Sequence, residues 1–173
     1  MTTPLAQSPP LPCSSSSECP PRPSRRDPEI IAAAATKLAP QVIEWMTGTD
    51  SDLPQLIEDL KKAMRWDSDG YQLARRMDDY EPDAQLVEIL DEAGHLVRAE
   101  HEKACIAWVE ANGLKGPEIG ARVKYHRQGE ELGTVTRNWP EGRSTVAFAS
   151  LGHVTEGMGS HGFILEWEAL TLG

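Results

Sequence analysis

The residues of this 173-residue chain that could do chemistry do not assemble into a catalytic motif. His95 and His101 are six apart, so they do not share a helical face as metal ligands at i and i+4 would, and no second pair completes a site. His153 and His161 flank a glycine-rich stretch, GHVTEGMGSHG, that lacks the lysine and the strand–loop–helix setting of a phosphate cradle. Asp67-Ser68-Asp69-Gly70 begins like a calcium loop, but Gly70 stands fourth instead of sixth and position twelve is Asp78 instead of a glutamate. These residues read as a helix cap. Cys13, Cys19 and Cys105 are an odd count at no metal-ligand spacing, and Cys105 lies among apolar residues, where a thiol behaves as a small hydrophobe. The expectation is a protein that is not an enzyme and uses neither metal nor cofactor.

Two groups of side chains carry binding chemistry instead. Asp67, Asp69, Asp78, Asp79, Glu81 and Asp83 crowd one short stretch near helix ends, and an acidic surface accelerates encounter with a basic partner. Further on, Arg122, Lys124, Arg127, Arg137 and Arg143 are interleaved with Tyr125, Trp139, Phe148, Phe163 and Trp167, a mixture able to track a nucleic-acid backbone and stack bases. Trp139, in Asn-Trp-Pro-Glu-Gly, reads as the tip of a turn, where it must pack back or meet a partner. The net charge of −10 is uneven: residues 28–112 hold eighteen acids and eight bases, whereas residues 113–173 hold seven and six.

These groups must be positioned by three segments. Residues 1–26, rich in Pro and Ser, contain too little apolar surface to offset the entropy of ordering and are expected to be a disordered tail, with PPRPSRR more readily a spacer than a polyproline-type ligand or a weak basic anchor. Residues 27–114 are expected to form an acidic helical domain. Asp27-Pro28-Glu29 is a helix start, Pro40 a break or kink, and Gly48 a stop. Leu53, Leu56, Ile57, Leu60, Ala63 and Met64 repeat at helical spacing after a second start at Thr49-Asp50-Ser51-Asp52. A short helix follows Asp69, another follows Pro82-Asp83, and Gly94 is placed to split the last before its end at Asn112-Gly113. From residue 117 the period becomes alternating: residues 121–126, 132–137, 144–149 and 162–167 read as four strands joined by glycine- and proline-rich turns.

The sequence IGARVKY, GTVTR, TVAFA and GFILEWEAL over residues 117–172 resembles the SH3-like small barrels, including KOW-type modules, with the LGHVTEGMGSH stretch as an insertion. The resemblance implies a small antiparallel β-barrel, closed so that no sheet edge is left exposed. The helical stretch DSDGYQLARRMDDYEPDAQLVEILDEA is similar in style to small accessory proteins of bacterial plasmids and phages. The expected fold is therefore α+β, a helical bundle followed by an SH3-like barrel. No apolar run is long enough for a bilayer and no signal-peptide core is present, so the chain is expected to be cytoplasmic. Its expected function is protein binding, as an accessory or inhibitor of a mobile element acting on a basic or nucleic-acid-binding host protein. The alternative is direct nucleic-acid binding through the barrel.

Overall fold

The computed structural model describes residues 20–46, 50–66, 69–77, 83–125, 132–148 and 162–173. The fold is α+β: among the described residues, four α-helices are followed by a five-stranded antiparallel sheet. Two compact units share the chain, Arg22–Ala104 and Cys105–Gly173, the second including Pro20 and Pro21.

In the helical unit, α1 (Pro28–Met46) starts where Pro28 needs no N–H partner. The Asp27 carbonyl accepts from Ile31 N, and its carboxylate turns back to accept from Ser24 N at 2.8 Å. Of the break or kink expected at Pro40, the break does not occur: α1 runs through it to Met46. Leu38, Ala39, Val42 and Ile43, on both sides of the proline, are buried, and that packing offsets its cost of about 3 kcal/mol. α2 (Leu53–Met64) packs on α1 and buries Leu56, Leu60, Ala63 and Met64, the stripe read from its spacing. Lys61–Glu58 and Lys62–Asp59 pairs occupy its other side.

α3 (Gly70–Arg76) is only two turns long and is held at its start by two carboxylates. Asp69 Oδ1 accepts from Gln72 N at 3.0 Å, the local cap that the sequence suggested. Asp91, from the neighbouring helix, accepts from Gly70 N at 2.8 Å. A Cβ at Gly70 would lie 2.4 Å from both the Val87 carbonyl and Asp91 Oδ1, so only glycine permits this approach.

α4 (Ala84–Ala111) runs unbroken through Gly94, where the sequence allowed a split. Leu86, Leu90, Ala93 and Val97 form one buried seam at four- and three-residue spacing, and this packing outweighs the roughly 1 kcal/mol glycine penalty. α4 ends as expected at Asn112-Gly113. Gly113 has φ 59°, its N–H donates to Glu110 O, and Leu114 N donates to Val109 O, which together satisfy two terminal carbonyls.

Residues 20–26, read as the end of the tail, are ordered. The Trp108 indole N–H donates to Pro20 O at 3.0 Å in one unit, and His101 Nε2 donates to Pro23 O at 3.0 Å in the other. Residues 1–19 lie outside the described residues.

The sheet has the order β4-β3-β2-β1-β5, with β1 Arg122–Tyr125, β2 Leu132–Trp139, β3 Arg143–Ala147, β4 Phe163–Glu166 and β5 Leu170–Leu172. Strand β5 was not anticipated; a 3₁₀ turn at Trp167–Ala169 ends β4 early and returns the chain to pair beside β1. Val123, Val135, Val146, Phe148 and Leu170 form the core, with Tyr125 and Leu165 packed against it. The expected barrel closure, a ladder between β4 and β5, is not among the described residues.

Glu100 of α4 is bonded by Lys37 of α1 and by Lys103, and these hydrogen bonds hold its carboxyl below the usual carboxylate range. A lowered folded-state pKa contributes stability that is present above the unfolded pKa and lost as pH falls through the folded one. Glu100→Gln should therefore be less stable than the parent at neutral pH, with the gap narrowing in acid. Urea titrations at about pH 7 and about pH 3 check this. Gly70→Ala should cost about 1–3 kcal/mol by overpacking, measured the same way.

Candidate functional site: the outer face of the sheet

The acidic candidates do not come together as a described surface. Asp67, Asp78, Asp79 and Glu81 lie outside the described residues. Asp69 and Asp83 are exposed, yet each caps a different helix. Asp83 Oδ1 accepts from Leu86 N at 2.8 Å, and Oδ2 accepts from the Trp45 indole at 3.4 Å. Their position in sequence is explained by the helices they start.

The basic candidates are arranged differently. Arg127 lies outside the described residues, but register places the other four on one side of the sheet. Val123 and Tyr125 point to the core, so Arg122 and Lys124 point away from it. Arg122 is paired with Thr134, which is opposite Ala147; Lys124 is paired with Leu132 and Thr171. Farther along, Arg137 stands opposite Thr145, itself opposite Ile164, and Trp139 stands opposite Arg143, itself opposite Glu166. Arg122, Lys124 and Arg137 are exposed, and Ile164 lies among them at 55% exposure.

A bulge decides the side on which Arg137 falls. Val135 faces the core, and strict alternation would point residue 137 inward as well. The register shifts between Val135 and Arg137, so Thr136 is the extra residue and its hydroxyl donates to Thr145 O at 3.2 Å. Arg137 is thereby turned outward and Asn138 inward.

Trp139 is the last residue of β2, not the tip of the turn. Its indole N–H donates to Thr145 Oγ1 at 3.2 Å, and the Arg137 guanidinium lies 3.7 Å from its ring centroid. The two side chains form a preassembled stack. Pro140, Glu141 and Gly142 make the turn, with Gly142 at φ 79° and its N–H donating to Trp139 O. Arg143 reaches back to Glu141 at 2.7 Å, a pair whose carboxylate is almost wholly buried.

Beneath this surface is a polar chain not anticipated from the sequence. The Trp167 indole donates to Ser144 Oγ at 2.9 Å, Ser144 donates to Asn138 Oδ1 at 2.6 Å, and Asn138 Nδ2 donates to Pro117 O at 2.7 Å. Ser144 is fully buried. These bonds join β2, β3, the 3₁₀ turn and the segment before β1, and so fix the strand ends that carry Arg137, Trp139 and Arg143. A signal was present, a serine in an inward-facing alternation position, but its partners are distant in sequence.

Compared with protein-family models, curated proteins and solved structures, the chain matches none. Among the described residues no group of three or more side chains is arranged to hold a metal ion, and no helix is long and apolar enough to cross a membrane.

Ser144→Ala should cost about 1–3 kcal/mol, because it leaves the Trp167 donor and the Asn138 acceptor buried without their partner. Chemical denaturation of the full chain, followed by tryptophan fluorescence, measures this.

Proposed function

We propose that this chain is a non-enzymatic binding protein whose sheet unit contacts single-stranded nucleic acid through its outer face. One observation carries the reading: Arg122, Lys124, Arg137 and Arg143 all leave the sheet on the side away from the core, with Arg137 stacked on Trp139. The Arg137 guanidinium, supported by an indole, offers a base a flat cationic platform and its edge N–H groups to the adjoining phosphate, while Arg122 and Lys124 meet phosphates farther along the face. Arg143 already has a carboxylate partner and acts more as a support than as a contact.

A second reading rests on the charge of the helical segment. Eighteen acids against eight bases in residues 28–112 favour a basic protein partner, and a nucleic-acid-binding host protein is the natural one. In this reading the chain is an accessory or inhibitor of a bacterial mobile element, working in the cytoplasm.

The test is anisotropy of a labelled single-stranded oligonucleotide titrated with the full chain at several salt concentrations. With three exposed cations on phosphates, log affinity should fall with log salt at a slope of roughly −2. Arg137→Glu should weaken binding at least tenfold and flatten that slope. No binding at low salt, or an unchanged slope in the variant, removes the nucleic-acid reading and leaves the protein partner.

A further inference from the structure

The helical unit carries a second aromatic and basic surface, separate from the sheet. Trp66 is 70% exposed and Tyr71 58%, the two most exposed large hydrophobic side chains among the described residues of that unit. Each lies close to a guanidinium, Arg65 at 5.8 Å from the Trp66 ring and Arg75 at 5.9 Å from the Tyr71 ring. Arg76, next on α3, is also exposed. Lys61 and Lys62 are paired within α2, whereas none of the three arginines has an ion pair among the described residues. Exposed tryptophan, tyrosine and arginine are the side chains that dominate the centres of protein interfaces.

Charge along α3 shows which partner fits. Its C-terminal turn carries Arg75 and Arg76, and its N-terminal turn is flanked by Asp69 and Asp91, both exposed and both bonded to its first N–H groups. The helix is thus positive at one end and negative at the other. Two such helices crossing antiparallel place each arginine pair against the other copy's aspartates, and the contact is made twice by the same residues. That is the self-complementarity a two-fold interface requires. A polyanion such as nucleic acid fits less well, since Asp69 and Asp91 repel it at the near end.

We infer that α3, with Trp66 and Tyr71, is a self-association surface, and that its occupant is a second copy of this chain. The aromatic rings supply buried apolar area, and the reciprocal arginine–aspartate contacts fix the orientation.

Sedimentation equilibrium of the full chain across a hundredfold concentration range tests this. The parent should dimerise, and added salt should weaken the dimer. Arg75→Glu/Arg76→Glu should raise the dimer dissociation constant at least tenfold, and Tyr71→Ala should do the same; both sites are exposed, so folding is unaffected. Asp69→Asn/Asp91→Asn keeps a capping oxygen at each position and should also weaken the dimer by removing the charge. A parent that stays monomeric throughout overturns the inference. So does a dimer whose constant is unchanged in the Arg75→Glu/Arg76→Glu chain, and one weakened by neither aspartate substitution nor salt.

Discussion

Removing a polar group from water costs more than its hydrogen bond returns unless a partner is waiting, and in the sheet unit that constraint centres on Ser144. Its hydroxyl is at once acceptor for Trp167 and donor to Asn138, so a single oxygen orders three segments. Asn138 can take part only because the bulge at Thr136 rotates the end of β2 by one residue. The same rotation sends Arg137 outward onto Trp139. The outward basic face and the inward polar chain are therefore two consequences of one inserted residue, and an alteration to either is felt by the other.

The same requirement accounts for four of the acids in the helical unit. Helices as short as α3 cannot sustain themselves by propensity, because nucleation leaves their first N–H groups without acceptors. Here Asp69 supplies one acceptor locally and Asp91 another from α4, while Asp83 begins α4 and reaches the Trp45 indole. Glu100, bonded by lysines from two helices, ties α1 to α4. A run of aspartates that looks like a docking surface in one dimension is thus in part a set of helix starts in three.

The elements legible in the sequence were those defined by local chemistry. The stripe from Leu53 to Met64, the Asp69 cap, the Pro28 start and the Gly113 stop follow from spacing and from which backbone groups lack partners. The features left open or missed were those that tertiary packing controls. Pro40 and Gly94 carry local penalties of a few kcal/mol or less, and buried neighbours on either side outweigh them. The ordered segment 20–26 contributes backbone carbonyls, not side chains, to Trp108 and His101, so no hydrophobic pattern marks it. β5 is three residues long and acquires its identity from pairing with β1. For the candidate site, residue types were readable and so was the outward facing of Arg122 and Lys124, but not that of Arg137: alternation assigns it to the wrong side, and only cross-strand register reveals the bulge.

A basic face on a chain of net charge −10 is restricted in what it can do by the range of electrostatics. At physiological salt the screening length is about 8 Å, so exposed charges farther away than that contribute little to a contact once it has formed. Long-range attraction of a polyanion is weak for this molecule, and its encounter rate with nucleic acid is not accelerated by its overall field. Affinity must then come from contacts made at short range, which a preassembled stack provides without the entropy cost of ordering two long side chains on binding. Arg137 has its geometry set before any ligand arrives, by Trp139 beneath it and Thr145 behind the indole. Arg122 donates a single long bond, 3.4 Å, to Leu132 O and is stacked on no ring among the described residues, so it and Lys124 would give up more freedom on engaging a ligand. The face is thus graded, rigid at the β2–β3 hairpin and adaptable toward β1, and under the proposed reading the rigid end is where a planar group would be selected.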